Sequence, residues 1–294
     1  MLRVGTDCSG MDAPIQALKN LGIPFIHCFS SDIDPYCIET IRANFDPQKI
    51  FTDITQRNMK DVSNIDLYVC GFPCQPFSQA GKRKGYSDNR GKIIDYCIEV
   101  IRKKRPKYYI LENVVGLVRM KKLFEKILQD LQNIPHYSIS WKILNTRDYG
   151  VPQNRERVYI VGRRGKIPFN WPAPTKMIPL KQIIDFTDRE PDVATERLER
   201  NLAQLSDKSL FVNTSFLYYT KYPNSDKYCP CLTAESSIWC VPFHRRANVK
   251  EYLRLQGFPS NFKRVVSDTK MKKQIGNSMS VCVLEALLKE LLYT

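Results

Sequence analysis

LRVGTDCSGMDAPIQALKNLGIPFIHCFSSDIDPYCIETIRAN, residues 2–44, alternates short β-rich apolar runs with stretches carrying apolar residues at helical spacing. Leu2 to Asp7 and Phe25 to Ser31 read as strands. Between them, Asp12 and Pro14 supply an N-cap and a first-turn proline for a helix to Leu21, and Pro35 opens a second helix to Asn44. Strand, turn, helix and strand in that rhythm predict βαβ units. The rhythm persists: Ile65 to Cys70, Tyr108 to Glu112, Ile139 to Leu144 and Arg157 to Gly162 read as strands, Lys92 to Lys103 and Lys121 to Leu131 as helices. The expected class is therefore α/β, a doubly wound, mostly parallel, Rossmann-like sheet with helices on both faces and a second, smaller domain.

After Gly162 the texture changes. Arg163, Arg164 and Lys166 precede Pro168, Pro172, Pro174 and Pro179, and periodicity stays weak until about Asn248, which marks a domain boundary. The expected division is residues 1–163 as the main domain, 164–270 as the small one, and 271–294 as a C-terminal segment returning to the first, with an amphipathic helix over roughly Ser278 to Leu292. From Phe211 to Tyr228, aromatics interleave with lysines (Phe216, Tyr218, Tyr219, Lys221, Tyr222, Lys227). That mixture suits contacts to bases and phosphates, and equally a small β-rich core with solvated lysines.

A chain of 294 residues has enough length for a full α/β core and more. Lysine and arginine outnumber aspartate and glutamate by 45 to 30, a net +15, which favours a polyanionic partner. No apolar run approaches a membrane span, and Met1 to Asp7 lacks the pattern of a signal peptide, so the expectation is a soluble, intracellular protein without a membrane partner. The 10 cysteines are expected as thiols rather than a disulfide framework. Cys229 and Cys231 have no second pair at ligand spacing, and His27, His136 and His244 are scattered, so no metal site is expected.

Residues Gly71 to Ser78 read GFPCQPFS and place Cys74 between two φ-fixing prolines, Pro73 and Pro76, directly after a strand. Open α/β sheets bind ligands at that end of their strands. A cysteine at random is more often a small buried hydrophobe; the flanking prolines and glycine argue for a reactive one here. Strand Tyr108 to Leu111 delivers Glu112-Asn113-Val114 to the same rim, and in Gln153 to Arg157 the strand period directs Arg155 and Arg157 to one face. The turn Thr6 to Asp12 holds one glycine where a dinucleotide fingerprint needs three, yet Asp32 ends the second strand about where an acid meets ribose hydroxyls. A nucleoside lacking a pyrophosphate, such as S-adenosylmethionine, fits both observations; an acid after a strand is also a common helix cap.

Taken together, these segments resemble the cytosine-C5 DNA methyltransferases that use S-adenosylmethionine. GFPCQPFS, SDNRG (Ser87 to Gly91), ENV (Glu112 to Val114), QNRER (Gln153 to Arg157), RLQGFP (Arg254 to Pro259) and QIGNSMSV (Gln274 to Val281) occur in family order. The long unmatched stretch, about Gly165 to Phe243, falls where the family carries target recognition. The resemblance implies a class I methyltransferase fold, double-stranded DNA as partner, a monomer of the single-chain type found in bacterial restriction-modification and in viruses, and base flipping of the target cytosine.

It also implies roles. Cytosine C5 is a poor nucleophile until a thiolate adds to C6, and Cys74 is the implied thiolate. Glu112 meets N3 as a proton donor, which requires its carboxyl group to be protonated through enclosure; Arg157 meets O2 and Glu112, with Arg155 in support. Gly10, Asp32, Ile33, Asp53, Ile54, Pro73 and Asn277 would line the cofactor pocket, Asp32 at the ribose and Asp53 at the adenine amino group. Ser78, Lys82, Arg83, Lys84 and Arg90, the last four in the basic loop Gln79 to Gly91, would contact the extruded nucleotide and DNA phosphates. In place of the family's Phe-x-Gly-x-Gly stands Cys8-Ser9-Gly10-Met11-Asp12, whose Asp12 is expected to cap the following helix. The same chemistry on transfer RNA, and a catalytically silent DNA-binding protein, are the rival readings. The RNA subfamily usually has Pro-Pro-Cys where this chain has Phe72-Pro73-Cys74.

Overall fold

The computed structural model describes residues 1–73, 93–205, 208–215 and 226–293. In chain order these form β1 (Leu2–Asp7), α1 (Ala13–Asn20), β2 (Phe25–Ser31), α2 (Pro35–Asn44), β3 (Lys49–Phe51), β4 (Leu67–Gly71), α3 (Ile93–Lys104), β5 (Tyr108–Val114), α4 (Gly116–Arg119), α5 (Lys121–Gln132), β6 (Tyr137–Asn145), β7 (Gln153–Asn154) and β8 (Glu156–Arg164). There follow α6 (Glu196–Leu202), β9 (Phe211–Asn213), β10 (Cys229–Pro230), β11 (Ile238–Cys240), β12 (Arg245–Arg246), α7 (Val249–Gln256), α8 (Asp268–Asn277) and α9 (Val281–Tyr293). The chain groups into two compact units, one of residues 1–144, 156–173 and 283–294, the other of 145–155 and 174–282. Composition alone placed the expected cuts at 163 and 270.

The first unit is built on a seven-stranded sheet in the order β3-β2-β1-β4-β5-β8-β6. Strands β1 to β5 run parallel, and β8 returns antiparallel to β5, so the sheet is mostly parallel as expected. From β1 the chain winds one way to β2 and β3, then the other way from β4 to β5. Right-handed crossovers therefore put α1 and α3 on opposite faces, the doubly wound arrangement. The central strands are buried on both sides, which is why they read as continuous apolar runs: Leu67, Tyr68, Val69 and Cys70 of β4 are fully buried. Helix α3 lays Ile94, Cys97, Ile98 and Ile101 against the core, joined there by Phe124, Ile127 and Leu131 of α5. Gly162 sits opposite Tyr109 in the β5–β8 ladder, and a Cβ there would fall 2.0 Å from the Tyr109 ring, so the strands approach only with glycine at that position.

The second unit has little regular structure. Antiparallel β9, β11 and β12 form a three-stranded sheet, and β10 pairs in parallel with β7. Its polar core carries much of the order. Arg245 and Glu251, both buried, bond at 2.8 Å, while Asn248 and Glu251 close a capping box at the start of α7. Among the described residues no helix is long and apolar enough to cross a membrane.

Candidate active site

The winding order of the sheet reverses between the parallel strands β1 and β4, and the crevice at the carboxyl ends of those strands is where such a sheet receives a ligand. Two segments of the first unit flank it: the turn after β1 and the exit from β4 through Gly71, Phe72 and Pro73. Cys74, Ser78, Lys82, Arg83, Lys84 and Arg90 lie outside the described residues. The β4 exit is nonetheless fixed up to Pro73. Gly71 pairs with Glu112 in the β4–β5 ladder, and the buried Asn113 donates its Nδ2 to the Phe72 carbonyl at 3.1 Å while its Oδ1 accepts the Val114 N–H at 2.8 Å. Asn113 thus ties the segment entering Cys74 to β5. The sequence contained the residue, within ENV, but gave no hint of this bond.

Glu112 is buried, and the Nε of Arg157 lies 3.2 Å from its Oε1. Arg157 stands opposite Val114 in the antiparallel ladder, so it reaches Glu112 as a diagonal neighbour on the same face. Expected partners therefore meet. Arg155 behaves otherwise. Its N–H bonds the Gln153 carbonyl at 3.0 Å and the Asn145 Oδ1 at 3.1 Å, a tight local turn between β7 and β8. The buried guanidinium then donates within the second unit to the carbonyls of Leu232 (2.5 Å), Gly276 (3.2 Å) and Ser278 (2.7 Å). Residue 155 stands outside both β7 and β8, yet burial alternates through the segment, with Gln153 and Arg155 buried, Asn154 and Glu156 exposed and Arg157 half-buried.

In the turn after β1, Cys8, Gly10 and Asp12 all have positive φ, 50°, 55° and 56°. Gly10 donates its N–H to Asp32 Oδ2 at 2.7 Å, and Asp34 N–H holds Oδ1 at 2.9 Å. Burial pushes the Asp32 carboxyl up, opposed by those two backbone N–H groups. Among the described residues, a Cβ on Gly10 would meet nothing within 4 Å. Ile33, beside Asp32, is 75% exposed, a bare apolar surface at the strand end. Asp53 is half-buried and accepts the Thr55 N–H and hydroxyl, both at 2.8 Å; Ile54 is buried and Pro73 half-buried. Asn277, at the end of α8 in the second unit, is exposed.

Asp12 does not cap the helix with its side chain. It occupies the N-cap position in the left-handed conformation, which turns its carboxylate away from the first turn of α1. That carboxylate is fully buried and accepts from Thr6 Oγ1 (2.9 Å) and Ser30 Oγ (2.5 Å), with His27 Nε2 at 3.4 Å. A neighbouring network, also missed, fixes the end of β1: buried Asp7 accepts both terminal nitrogens of Arg57 (2.6 and 2.5 Å), the Tyr68 hydroxyl (2.7 Å) and Ser31. The Arg57 guanidinium stacks 5.4 and 5.1 Å from the Phe29 and Phe51 rings. Arg57 lies in a polar connecting segment with no periodicity, and nothing local announces its burial.

Burial pushes the Cys70 and Cys229 thiols well up and the Cys240 thiol up to about 12, so these stay protonated packing residues. Among the described residues no group of three or more histidines, cysteines, aspartates or glutamates could hold a metal ion.

Comparison with known proteins agrees with this geometry. Residues 7–293 match the family described as C-5 cytosine-specific DNA methylase. The chain is 35% identical over 277 residues to the Type II methyltransferase M.NgoBI of Neisseria gonorrhoeae, covering 89% of this chain and 84% of that protein. It is also 35% identical over 269 residues to M.HaeII of Haemophilus aegyptius, covering 88% and 83%. Among solved structures, a prophage-encoded DNA modification methyltransferase from E. coli superposes with a TM-score of 0.76 at 21% identity, and S. pombe Dnmt2 with 0.74 at 20%. The first covers 100% of both chains, the second 100% of this chain and 99% of its own. At those identities the structural likeness speaks for the fold.

Proposed function

The chain belongs to the C-5 cytosine-specific DNA methylase family and is a DNA cytosine-C5 methyltransferase, and we propose that Cys74, Glu112 and Arg157 form its reaction centre. The observation that carries the proposal is the Glu112–Arg157 pair on β5 and β8, next to Gly71 at the exit of β4.

Cys74 supplies the nucleophile. Its thiolate adds to cytosine C6, which breaks aromaticity and makes C5 electron-rich. Negative charge then builds on N3 and O2. Glu112 answers at N3 with a proton, and Arg157, permanently charged, answers at O2 while holding Glu112 in place. Once C5 carries the methyl group that the donor would supply, water or a polar group of the site takes the C5 proton and the thiolate leaves C6, which restores the aromatic ring. The target base is reached by flipping it out of the duplex, because neither face of C6 is open to a thiolate inside the stack.

S-adenosylmethionine, the methyl donor, would supply an electrophilic methyl group, and the residues present fit it. Asp32 offers a carboxylate at a strand end for the ribose hydroxyls, Ile33 an exposed apolar surface for the adenine, Asp53 an acceptor for its amino group, and Gly10 a turn that no other described residue crowds. Ile54 and Pro73 complete the set within the first unit; Asn277 is proposed from the sequence resemblance alone. Arg155 is the proposed supporting residue, and its guanidinium fixes backbone within the second unit. Residues 164–270 are the proposed target-recognition region, and Ser78, Lys82, Arg83, Lys84 and Arg90 the proposed contacts to the DNA strand.

Expression alongside an unmethylated plasmid, followed by bisulfite sequencing, tests activity and recognition sequence together. Protected cytosines within one short sequence are expected, and their loss with Cys74→Ala at unchanged DNA binding. Protection that survives Cys74→Ala would overturn the assignment of the nucleophile.

A further inference from the structure

The parallel strands of the first unit begin at the edge opposite the reaction centre, and that edge carries a cleft of about 350 Å³. It is lined by Arg3 at the start of β1, Asp66 just before β4, Lys104 at the end of α3, Arg105 and Lys107 before β5, and Arg164 at the end of antiparallel β8. Five cations thus face one carboxylate. Asp66 is fully engaged: Arg3 bonds it through its backbone N–H (3.1 Å), Nε (3.0 Å) and Nη2 (3.2 Å), and Lys107 Nζ lies at 3.5 Å. Among the described residues, Lys104, Arg105 and Arg164 have no carboxylate partner.

The two arginines are held rather than loose. Arg105 adopts φ 51°, a left-handed conformation that glycine or asparagine takes at helix ends with less strain. Its guanidinium lies 5.1 Å over the Tyr137 ring and donates to the Pro135 carbonyl at 2.6 Å, and Arg164 donates to the Arg105 carbonyl at 2.9 Å. Backbone carbonyls orient these guanidinium groups without neutralising them. A concave site with surplus, oriented guanidinium charge and a nearby lysine is suited to phosphate oxygens.

The geometry points to a second phosphate-binding site at this amino-terminal strand edge, one that takes the backbone phosphates of a DNA segment other than the one carrying the target cytosine. The central strands have five to seven residues, so the cleft and the reaction centre lie about 15–20 Å apart along the same strands, on opposite edges. A single flipped nucleotide cannot occupy both. The consequence would be an enzyme able to hold a flanking or second duplex while it works on the first.

The test uses the full chain and the variant Lys104→Gln/Lys107→Gln, with Arg164→Gln as an independent change on another strand. A short duplex containing one target site is titrated at low salt and its stoichiometry read by sedimentation, and inorganic phosphate is titrated separately against thermal unfolding. Two duplexes per wild-type chain are expected, falling to one in either variant, with single-turnover methylation of the short duplex unchanged. For the double variant the salt slope of log K for a long duplex should fall by about 2. One duplex on all three proteins, together with phosphate raising the melting temperature of wild type alone, would assign the cleft to free phosphate. One duplex throughout with no phosphate effect would overturn the site. Stoichiometry and melting do not depend on methyl transfer, so failure here is distinguishable from failure of the proposed reaction centre.

Discussion

Arg157 reaches Glu112 diagonally across the β5–β8 ladder, Nε to Oε1 at 3.2 Å, with both side chains about nine-tenths buried. The antiparallel insertion of β8 beside β5 is what makes this contact. The pair should therefore act as a unit. Glu112→Gln and Arg157→Ala are each expected to lower single-turnover methyl transfer by about 10²–10⁴-fold, the span of general acid–base contributions. The double variant should lose little more than the worse single one. Additive losses would show that the two residues work independently.

Asn113 is expected to act by position. Asn113→Ala removes the bond to the Phe72 carbonyl and leaves that buried acceptor unsatisfied, at a cost of about 1–3 kcal/mol in urea unfolding. Turnover should drop while binding of S-adenosylmethionine, read by calorimetry, stays near wild type. Equal losses in both would mean that Asn113 matters only for folding.

At Asp12, backbone and side chain make separate demands. Asp12→Gly accepts φ 56° readily but removes the buried carboxylate that accepts from Thr6 and Ser30, leaving those hydroxyls only Ser9 and His27, whereas Asp12→Asn tolerates the backbone and keeps an acceptor. Asp12→Gly should destabilise by about 1–3 kcal/mol and Asp12→Asn by less. A glycine variant as stable as wild type would show that the buried carboxylate carries no structural role.

Acid sensitivity should come in part from Asp66 and Asp185. Hydrogen bonding and charge from Arg3 hold the Asp66 carboxyl down to about 2; Asp185, despite the opposing effect of burial, is held down to about 2 by bonds from Thr187, Asn248 and Lys250. An unfolded aspartate titrates near about 3.9. A depressed folded value means stability present above the unfolded pKa and lost as pH falls through the folded one, so both contributions should fade between about pH 5 and pH 2. Urea midpoints over that range should fall less steeply in Asp66→Asn than in wild type. An unchanged slope would show that Asp66 is not linked to acid unfolding.

Much of the first unit was legible because buried parallel strands write themselves as apolar runs. The bounds of β1, β2 and α2 coincide with those read from sequence, and Glu112 stands near the end of a strand read there, while its pairing with Arg157 was implied by the family resemblance. Strand β3 escaped because three residues carry no period. The break between β7 and β8 at Arg155 escaped because a single i-to-i−2 backbone bond leaves no mark in the letters. Arg57 and the inward turn of Asp12 were illegible for another reason: their partners lie 50 and 18 residues away on other strands, and long-range satisfaction of a buried charge leaves no local pattern.

Arg155 grips three backbone carbonyls contributed by residues from 232 to 278, yet reaches them from the short excursion between β6 and β8. For anyone building hybrids with altered sequence preference, that grip sets the cutting points. A graft of residues 174–282 from a relative would bring foreign carbonyls to a native arginine. The transplant should carry its own counterpart of residues 145–155, so that the donor's clamp travels with the loops it was shaped to hold.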